Sequence, residues 1–254
     1  MLWKLLKYDF RAMWKSFALI WPAALVLALV NHFTLPYDEG VVEANELLTM
    51  VLIIAFVSVL FAMFMAVMIF VIQRFYKGLL GDEGYLMHTL PVRPWQLVLS
   101  KLICAVITSV VSMVVMLAAC ILMVPIRWSQ VLRIAFFRAL WEGLMANPDA
   151  IVYLLEFTLV CVMFLALAVT MAYLSMSIGH LFRRRIIMSV VAFIGLDILG
   201  TLYLNVLDEM DVLAYMFQST THAAFLGSTL AMLVPCVLFL LGTVWILGHR
   251  LNLE

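Results

Sequence analysis

Charged side chains are scarce in this sequence. Only 12% of its 254 residues are Asp, Glu, Lys or Arg, whereas 67% are hydrophobic. A soluble domain needs more polar side chains than this to cover its surface, so the composition indicates an integral membrane protein with little mass outside the bilayer. The 15 basic and 15 acidic residues balance to a net charge of zero. That balance argues against a nucleic-acid partner, because phosphate binding relies on excess positive charge.

Recognisable arrangements of catalytic or metal-binding residues are also missing. The four cysteines fall in apolar stretches without a C-x-x-C pair, so they are expected to be packing residues and not disulfides or metal ligands. The five histidines are scattered, with no pair at the spacing of metal ligands. The sequence contains no G-x-S-x-G, H-E-x-x-H or P-loop motif. It therefore predicts no catalytic site, and any work against a gradient must take its energy from elsewhere.

Long apolar runs are abundant. A membrane-spanning helix needs about 20 apolar residues, and six segments reach that length. They cover residues 17–35, 47–72, 97–124, 153–180, 186–204 and 223–247. The sequence thus predicts an all-α membrane protein with six transmembrane helices, forming a single transmembrane domain over residues 1–254.

The basic residues predict the orientation of these helices. Of the 15 Lys and Arg residues, 12 lie on the side of the two termini, and only Arg127, Arg133 and Arg138 lie on the opposite side. Cytoplasmic loops carry the excess of Lys and Arg. Both termini and a loop at residues 74–96 are therefore expected in the cytoplasm, and an amphipathic segment at residues 125–152 is expected outside.

Residues 1–16 have the pattern of an amphipathic helix. The basic side chains fall on an arc separate from the apolar ones; they are Lys4, Lys7, Arg11 and Lys15. The pattern predicts an interfacial helix along the inner leaflet, with its lysines near lipid phosphates. A cytoplasmic extension of the first span is the alternative.

A second basic group follows the fourth span directly. It consists of Arg183, Arg184 and Arg185. We interpret it as an inner-leaflet anchor that fixes the topology. Contact with anionic lipid or with a cytoplasmic partner is the alternative function.

The loop between the second and third spans is predicted to form a glycine-rich turn from Phe75 and then a short helix. Asp82 can cap this helix, Glu83 lies favourably in its first turn, and Pro91 ends it. An apolar face on a short cytoplasmic loop indicates that another protein docks there. The residues expected at this docking site are Asp82, Glu83, Tyr85, Leu86, His88, Thr89 and Leu90.

Asp197 is the one charged residue that this sequence argument places well inside a span. A carboxylate within the bilayer is costly and suggests an ion relay, a substrate contact or a polar clasp. We interpret Asp197 as a polar clasp, with the ion site as the alternative.

Small residues recur at four-residue spacing in the fourth span, as Ala168 and Ala172 and as Ser175 and Gly179. Such spacing permits close approach of a neighbouring helix. We interpret it as ordinary helix packing.

The chain resembles the ABC-2 type permeases, the six-span membrane subunits of ABC exporters, and in particular the small permeases of Gram-positive bacteria. The similarity of architecture covers the whole chain, and the distinctive motif covers about residues 75–101. The segment similar to the family's interfacial helix is Leu5-Leu6-Lys7-Tyr8-Asp9-Phe10. The segments similar to its coupling-helix loop are Phe75-Tyr76-Lys77, Gly81-Asp82-Glu83-Gly84-Tyr85-Leu86, Thr89-Leu90-Pro91-Val92 and Ser100-Lys101.

This resemblance implies partners and a cargo. A separately encoded ATP-binding subunit, which holds ATP and magnesium, would dock on residues 82–90, so the chain would be a non-catalytic subunit without a cofactor of its own. A second permease copy, identical or paralogous, would complete the pathway in the bacterial plasma membrane. The family group includes exporters of amphipathic cytolytic peptides such as phenol-soluble modulins, and that is the cargo expected. Lantibiotic, lipid or drug export stays open.

Two other classes of function stay open as well. An ion-coupled secondary transporter or a pore would use Asp197 as its ion site, and a non-transporting scaffold would hold a cytoplasmic complex at the membrane. Ion-coupled transporters usually have several intramembrane polar sites and broken helices in paired repeats. Because the sequence has one such aspartate and no repeat, the expected function is an ATP-driven exporter subunit.

Overall fold

The computed structural model describes residues 2–34, 46–81, 93–123, 138, 141–143, 145–209 and 221–249. Within these residues the chain is almost wholly helical and contains no strand. The helices are α1 (Leu2–Phe17), α2 (Ile20–Thr34), α3 (Glu46–Phe75), α4 (Pro94–Met123), α5 (Pro148–His180), α6 (Arg185–Glu209) and α7 (Thr221–His249). A π-helical turn, Tyr76–Leu80, continues α3.

Within the described ranges, six helical segments are long and apolar enough to cross a membrane. The first, Leu5–Phe33, covers most of α1 and α2, and the second, Met50–Leu80, covers most of α3 and the π-helical turn. The other four correspond to α4, α5, α6 and α7. All of them expose large apolar side chains, which a bilayer solvates better than water does. The prediction of an all-α chain with six segments able to span a membrane is confirmed.

Helix α1 buries part of its predicted apolar face. Met13 and Phe17 are buried, at 2% and 1% exposure. Lys7, Arg11 and Lys15 are exposed. The two kinds of side chain therefore lie on different sides of the helix, and its placement along the inner leaflet stays a prediction.

The described helices belong to two compact units. Unit 1 comprises Met1–Asp9, Phe70–Val106 and Val152–Glu254, and unit 2 comprises Phe10–Ile69 and Ile107–Ile151. The two units are described separately below.

The core of unit 2 is built from α2, α3 and α4. Ala28, Phe56 and Ala119 are almost completely buried at its centre, and the two alanines leave room for the phenylalanine ring. Trp21 Nε1 also donates a hydrogen bond of 3.0 Å to Ser112 Oγ. Small side chains and interhelical hydrogen bonds are the usual means by which helices associate in lipid, where the hydrophobic effect between them is absent.

In unit 1, α5 and α6 are consecutive helices, and their backbones approach closely at Gly179. A Cβ atom at Gly179 would lie 2.6 Å from the backbone nitrogen of Ser189 and 2.7 Å from its Cα. These distances are far inside van der Waals contact, so only glycine permits this approach. The prediction that this small residue allows close helix packing is confirmed.

Replacing Gly179 with alanine is expected to lower the free energy of unfolding by about 1–3 kcal/mol, because the added methyl group must push the α5 and α6 backbones apart. Gly195→Ala is the matched control, since nothing lies within 4 Å of a Cβ atom at Gly195 in α6. Alanine favours the helix by about 1 kcal/mol over glycine, so the control is expected to be neutral or stabilising. Unfolding of each variant in mixed micelles with increasing sodium dodecyl sulfate measures its free energy of unfolding relative to wild type. Equal stability of the two variants would contradict the close contact.

Candidate functional site

An aspartate of α1, Asp9, is buried against two basic side chains of unit 1. Its Oδ1 atom accepts a hydrogen bond from Lys101 Nζ of α4 at 2.5 Å and another from Arg74 Nη2 of α3 at 2.6 Å. The side chains of Asp9 and Lys101 are each 2% exposed, and that of Arg74 is 19% exposed. Asp9, Arg74 and Lys101 are called the ionic cluster below.

The ionic cluster contains one negative and two positive charges. The Oδ1 atom of Asp9 accepts hydrogen bonds from both cationic side chains. Ser100 Oγ lies 3.4 Å from the other carboxylate oxygen but donates its proton to the Leu97 carbonyl oxygen at 2.9 Å. The Arg74 guanidinium also lies 5.9 Å from the centre of the Tyr8 ring, a favourable cation–π distance. Removing an ion from water costs several kcal/mol. Asp9 is therefore the group that makes burial of Lys101 and Arg74 tolerable.

Tyr173 extends the cluster to α5. Its hydroxyl donates a hydrogen bond of 3.3 Å to the carbonyl oxygen of Lys101. Its ring stacks on that of Phe75, with ring centres 3.9 Å apart and planes 15° from parallel. Both aromatic side chains are almost completely buried. Four helices, α1, α3, α4 and α5, are thus joined within a few side chains.

The π-helical turn packs beside the cluster. The sequence predicts a glycine-rich turn here, and that prediction is wrong: Tyr76–Leu80 remains helical, and its last three residues are buried. His180 Nε2 of α5 donates a hydrogen bond to the Leu80 carbonyl oxygen at 3.0 Å. A Cβ atom at Gly78 would lie 3.3 Å from Lys101 Cε. The turn is therefore held by both α4 and α5.

The position of the cluster relative to the loop at residues 82–92 suggests what it can do. Arg74 lies near the end of the helix that leads into this loop, and Lys101 lies near the start of the helix that leads out of it. A displacement of both loop ends acts on Asp9 through the two ion pairs. The arrangement is suited to transmitting movement. Among the described residues no three His, Cys, Asp or Glu side chains converge to hold a metal ion.

The predicted docking residues between Asp82 and Leu90 all lie outside the described residues, as does most of the amphipathic segment at 125–152. Their roles stay predictions. The predicted inner-leaflet anchors that are exposed are Lys7, Arg11, Lys15, Arg183, Arg184 and Arg185. The side chain of Lys4 lies outside the described part.

Asp197 lies apart from the ionic cluster, on α6. It lines a cavity of about 390 Å³ among α5, α6 and α7, together with aromatic and apolar residues such as Phe164, Phe193 and Pro235. Its side chain is exposed. No described residue forms a hydrogen bond or an ion pair with the carboxylate. The predicted polar clasp thus has no partner within the described part of the chain.

Sequence reasoning missed the ionic cluster, although two signals point to it. Asp9 is the only acidic residue among the first 37 and lies four residues before the buried Met13, so it belongs to the less basic side of α1. Lys101 lies inside the third predicted span. Asp9 and Lys101 are each an ionisable group among apolar residues, and such a group is usually paired with an opposite charge. Nothing local identifies that partner, because 92 residues separate the two.

Comparison of the chain with models of protein families, with curated proteins and with solved structures finds no match. The resemblance to ABC-2 type permeases therefore depends on the sequence motif and on the number and order of the helices.

Proposed function

We propose that the chain is the membrane-spanning permease subunit of an ATP-driven exporter of the ABC-2 type. Both termini would lie in the cytoplasm of a bacterial cell, and the chain would act with a second permease copy, identical or paralogous. The observation that carries the proposal is the ionic cluster at the base of the 82–92 loop. A loop that is displaced by an ATP-binding subunit must be coupled to the membrane-spanning helices. The ion pairs of Asp9 with Arg74 and Lys101 connect α1 to both helices that flank the loop.

In the proposed mechanism, a separately encoded subunit binds ATP and magnesium and docks on residues 82–90. Closure of two such subunits on nucleotide displaces the docking helix of each permease. Helices α3 and α4 follow because they continue directly from the loop. The ion pairs of Asp9 carry the displacement to the start of α1, and Tyr173 carries it to α5. The resulting rearrangement between the two permease copies opens a path to the outside.

The proposed cargo is an amphipathic peptide of the cytolytic kind. The chain has 18 methionines and 17 phenylalanines. Flexible thioethers adapt to apolar surfaces of varied shape, which suits a pathway for peptides that have an apolar face and no fixed sequence.

An ion-coupled transporter is the second candidate, and one observation favours it. The Asp197 carboxylate lines a cavity and has no partner among the described residues, as expected for a site that binds and releases a proton or cation. An intramembrane carboxylate of this kind is a functional candidate by default.

Replacing Asp197 with asparagine separates the two functions. Asparagine cannot take up or release a proton near neutral pH, but it keeps a similar volume and hydrogen-bonding groups. We expect Asp197→Asn to retain substantial ATP-dependent transport. The measurement is uptake of a fluorescent synthetic amphipathic helical peptide into inside-out proteoliposomes that contain the permease and the ATPase with which it copurifies.

The same vesicles with a pH gradient and no ATP are the control. No uptake is expected in that condition. Transport that needs the gradient, proceeds without ATP and is lost in Asp197→Asn would replace the proposed function with the ion-coupled one.

A further inference from the structure

A second cavity of unit 1, distinct from the ionic cluster, lies among α3, the π-helical turn, α5 and α6. Its volume is about 550 Å³, within the range of about 300–1,000 Å³ typical of ligand pockets. Most of its wall is apolar and includes Ile72, Met176, Ile186, Val190 and Phe193. These residues belong to three segments that are able to span a membrane. The cavity therefore lies where lipid chains would be.

Among the described residues that line this cavity, two are cations and none is a carboxylate. They are Lys77 of the π-helical turn and Arg185, the first residue of α6. Both side chains are exposed, and neither forms an ion pair with a described residue. Lys77 lies three residues before the end of the candidate span Met50–Leu80. Arg185 is the first residue of the candidate span Arg185–Glu209. The cations are thus at the ends of the spans, and the apolar wall extends away from them.

This combination matches one class of molecule. A phosphate group suits two cations that form no ion pair with a described residue, and an acyl chain suits the apolar wall beside them. Basic pockets between transmembrane helices on the cytoplasmic side are known to favour anionic lipid head groups. A soluble peptide or a free anion would leave either the apolar wall or the cations unused.

We propose that the cavity binds one anionic phospholipid of the inner leaflet, with its phosphate on Lys77 and Arg185 and an acyl chain against Val190 and Phe193. The site rests on the predicted orientation of the chain and does not depend on ATP or transport. Its test uses the purified permease alone, so it can fail while the proposed function holds.

The first test removes the charges. Native mass spectrometry of the purified chain, titrated with phosphatidylglycerol, compares wild type with the double variant Lys77→Gln, Arg185→Gln. We expect affinity to fall about 30-fold, as for the loss of two basic side chains at a lipid surface. The matched control, Arg93→Gln with Arg138→Gln, removes two exposed basic residues that neither line the cavity nor belong to the predicted inner-leaflet anchors, and it is expected to bind like wild type.

The second test fills the cavity and keeps the charges. Val190 and Val191 of α6 are both 54% exposed, but only Val190 lines the cavity. Val190→Trp is expected to weaken phosphatidylglycerol binding, and Val191→Trp is expected to leave it unchanged. Because both positions are exposed, both variants are expected to fold.

Three results would overturn the proposal. The first is equal binding of phosphatidylglycerol and of phosphatidylcholine with the same chains. The second is displacement of the lipid by inorganic phosphate together with no effect of Val190→Trp, which would indicate a site for an anion only. The third is binding of a synthetic anionic amphipathic peptide that depends on Lys77 and Arg185 when lipid binding does not, which would make the cavity a peptide site.

Discussion

Replacing Asp9 with alanine is expected to lower the free energy of unfolding by about 3–5 kcal/mol, because it removes the carboxylate that pairs with the buried Lys101 and the partly buried Arg74. The Lys101 side chain is 2% exposed, so little water can reach its ammonium group. Such a loss is a large part of the total stability of a typical domain. Unfolding of the detergent-solubilised chain, followed by circular dichroism, measures the change.

Two variants test whether the effect belongs to the cluster. Lys7→Gln changes an exposed charge on the same helix and is expected to alter stability by no more than about 0.5 kcal/mol. Arg74→Gln leaves the Asp9–Lys101 pair intact and balanced in charge, so it is expected to cost less than Asp9→Ala. An Asp9→Ala variant as stable as Lys7→Gln would rule out the cluster as a structural junction.

Charging the predicted docking helix is expected to abolish association with the ATP-binding subunit. In the variant Leu86→Glu with Leu90→Glu, two carboxylates replace apolar side chains that share one helix face. Buried apolar anchors at interfaces often contribute about 2 kcal/mol or more each. Loss of both corresponds to a decrease in affinity of about a thousandfold. Copurification of the ATPase with the tagged permease measures it.

Met87→Glu is the control, since it adds a carboxylate to the same predicted helix at a residue that is not one of the predicted docking residues. It is expected to keep the ATPase bound, and both variants are expected to insert into the membrane at wild-type levels. Undiminished association of the double variant would exclude this helix as the docking site.

The membrane-spanning segments could be predicted from the sequence because length and apolar character are local properties. The prediction for the fifth span, residues 186–204, falls within α6, Arg185–Glu209. The close packing at Gly179 was predictable for the same reason, since small residues recur at a fixed spacing. Its partner, Ser189, was not, because the packing of α6 on α5 is not encoded in that spacing.

The ionic cluster could not be predicted in the same way. Its ion pairs join residues 65 and 92 positions apart, and many other pairings of Lys and Arg with Asp or Glu are consistent with the sequence. The error at residues 76–80 has another cause. Two glycines within a few residues favour a turn, but Gly78, Leu79 and Leu80 are buried, and buried backbone groups must remain hydrogen-bonded. A helix, even a widened one, satisfies that requirement better than an open turn.

The π-helical turn determines the direction in which the chain leaves α3. A π turn contains one residue more than an α turn, and one residue corresponds to about 100° of rotation about the helix axis. If residues 76–80 formed a regular α-helix, Gly81 would project from a different side of α3. A single extra residue thus sets the side of α3 from which the chain leaves the helix at Gly81.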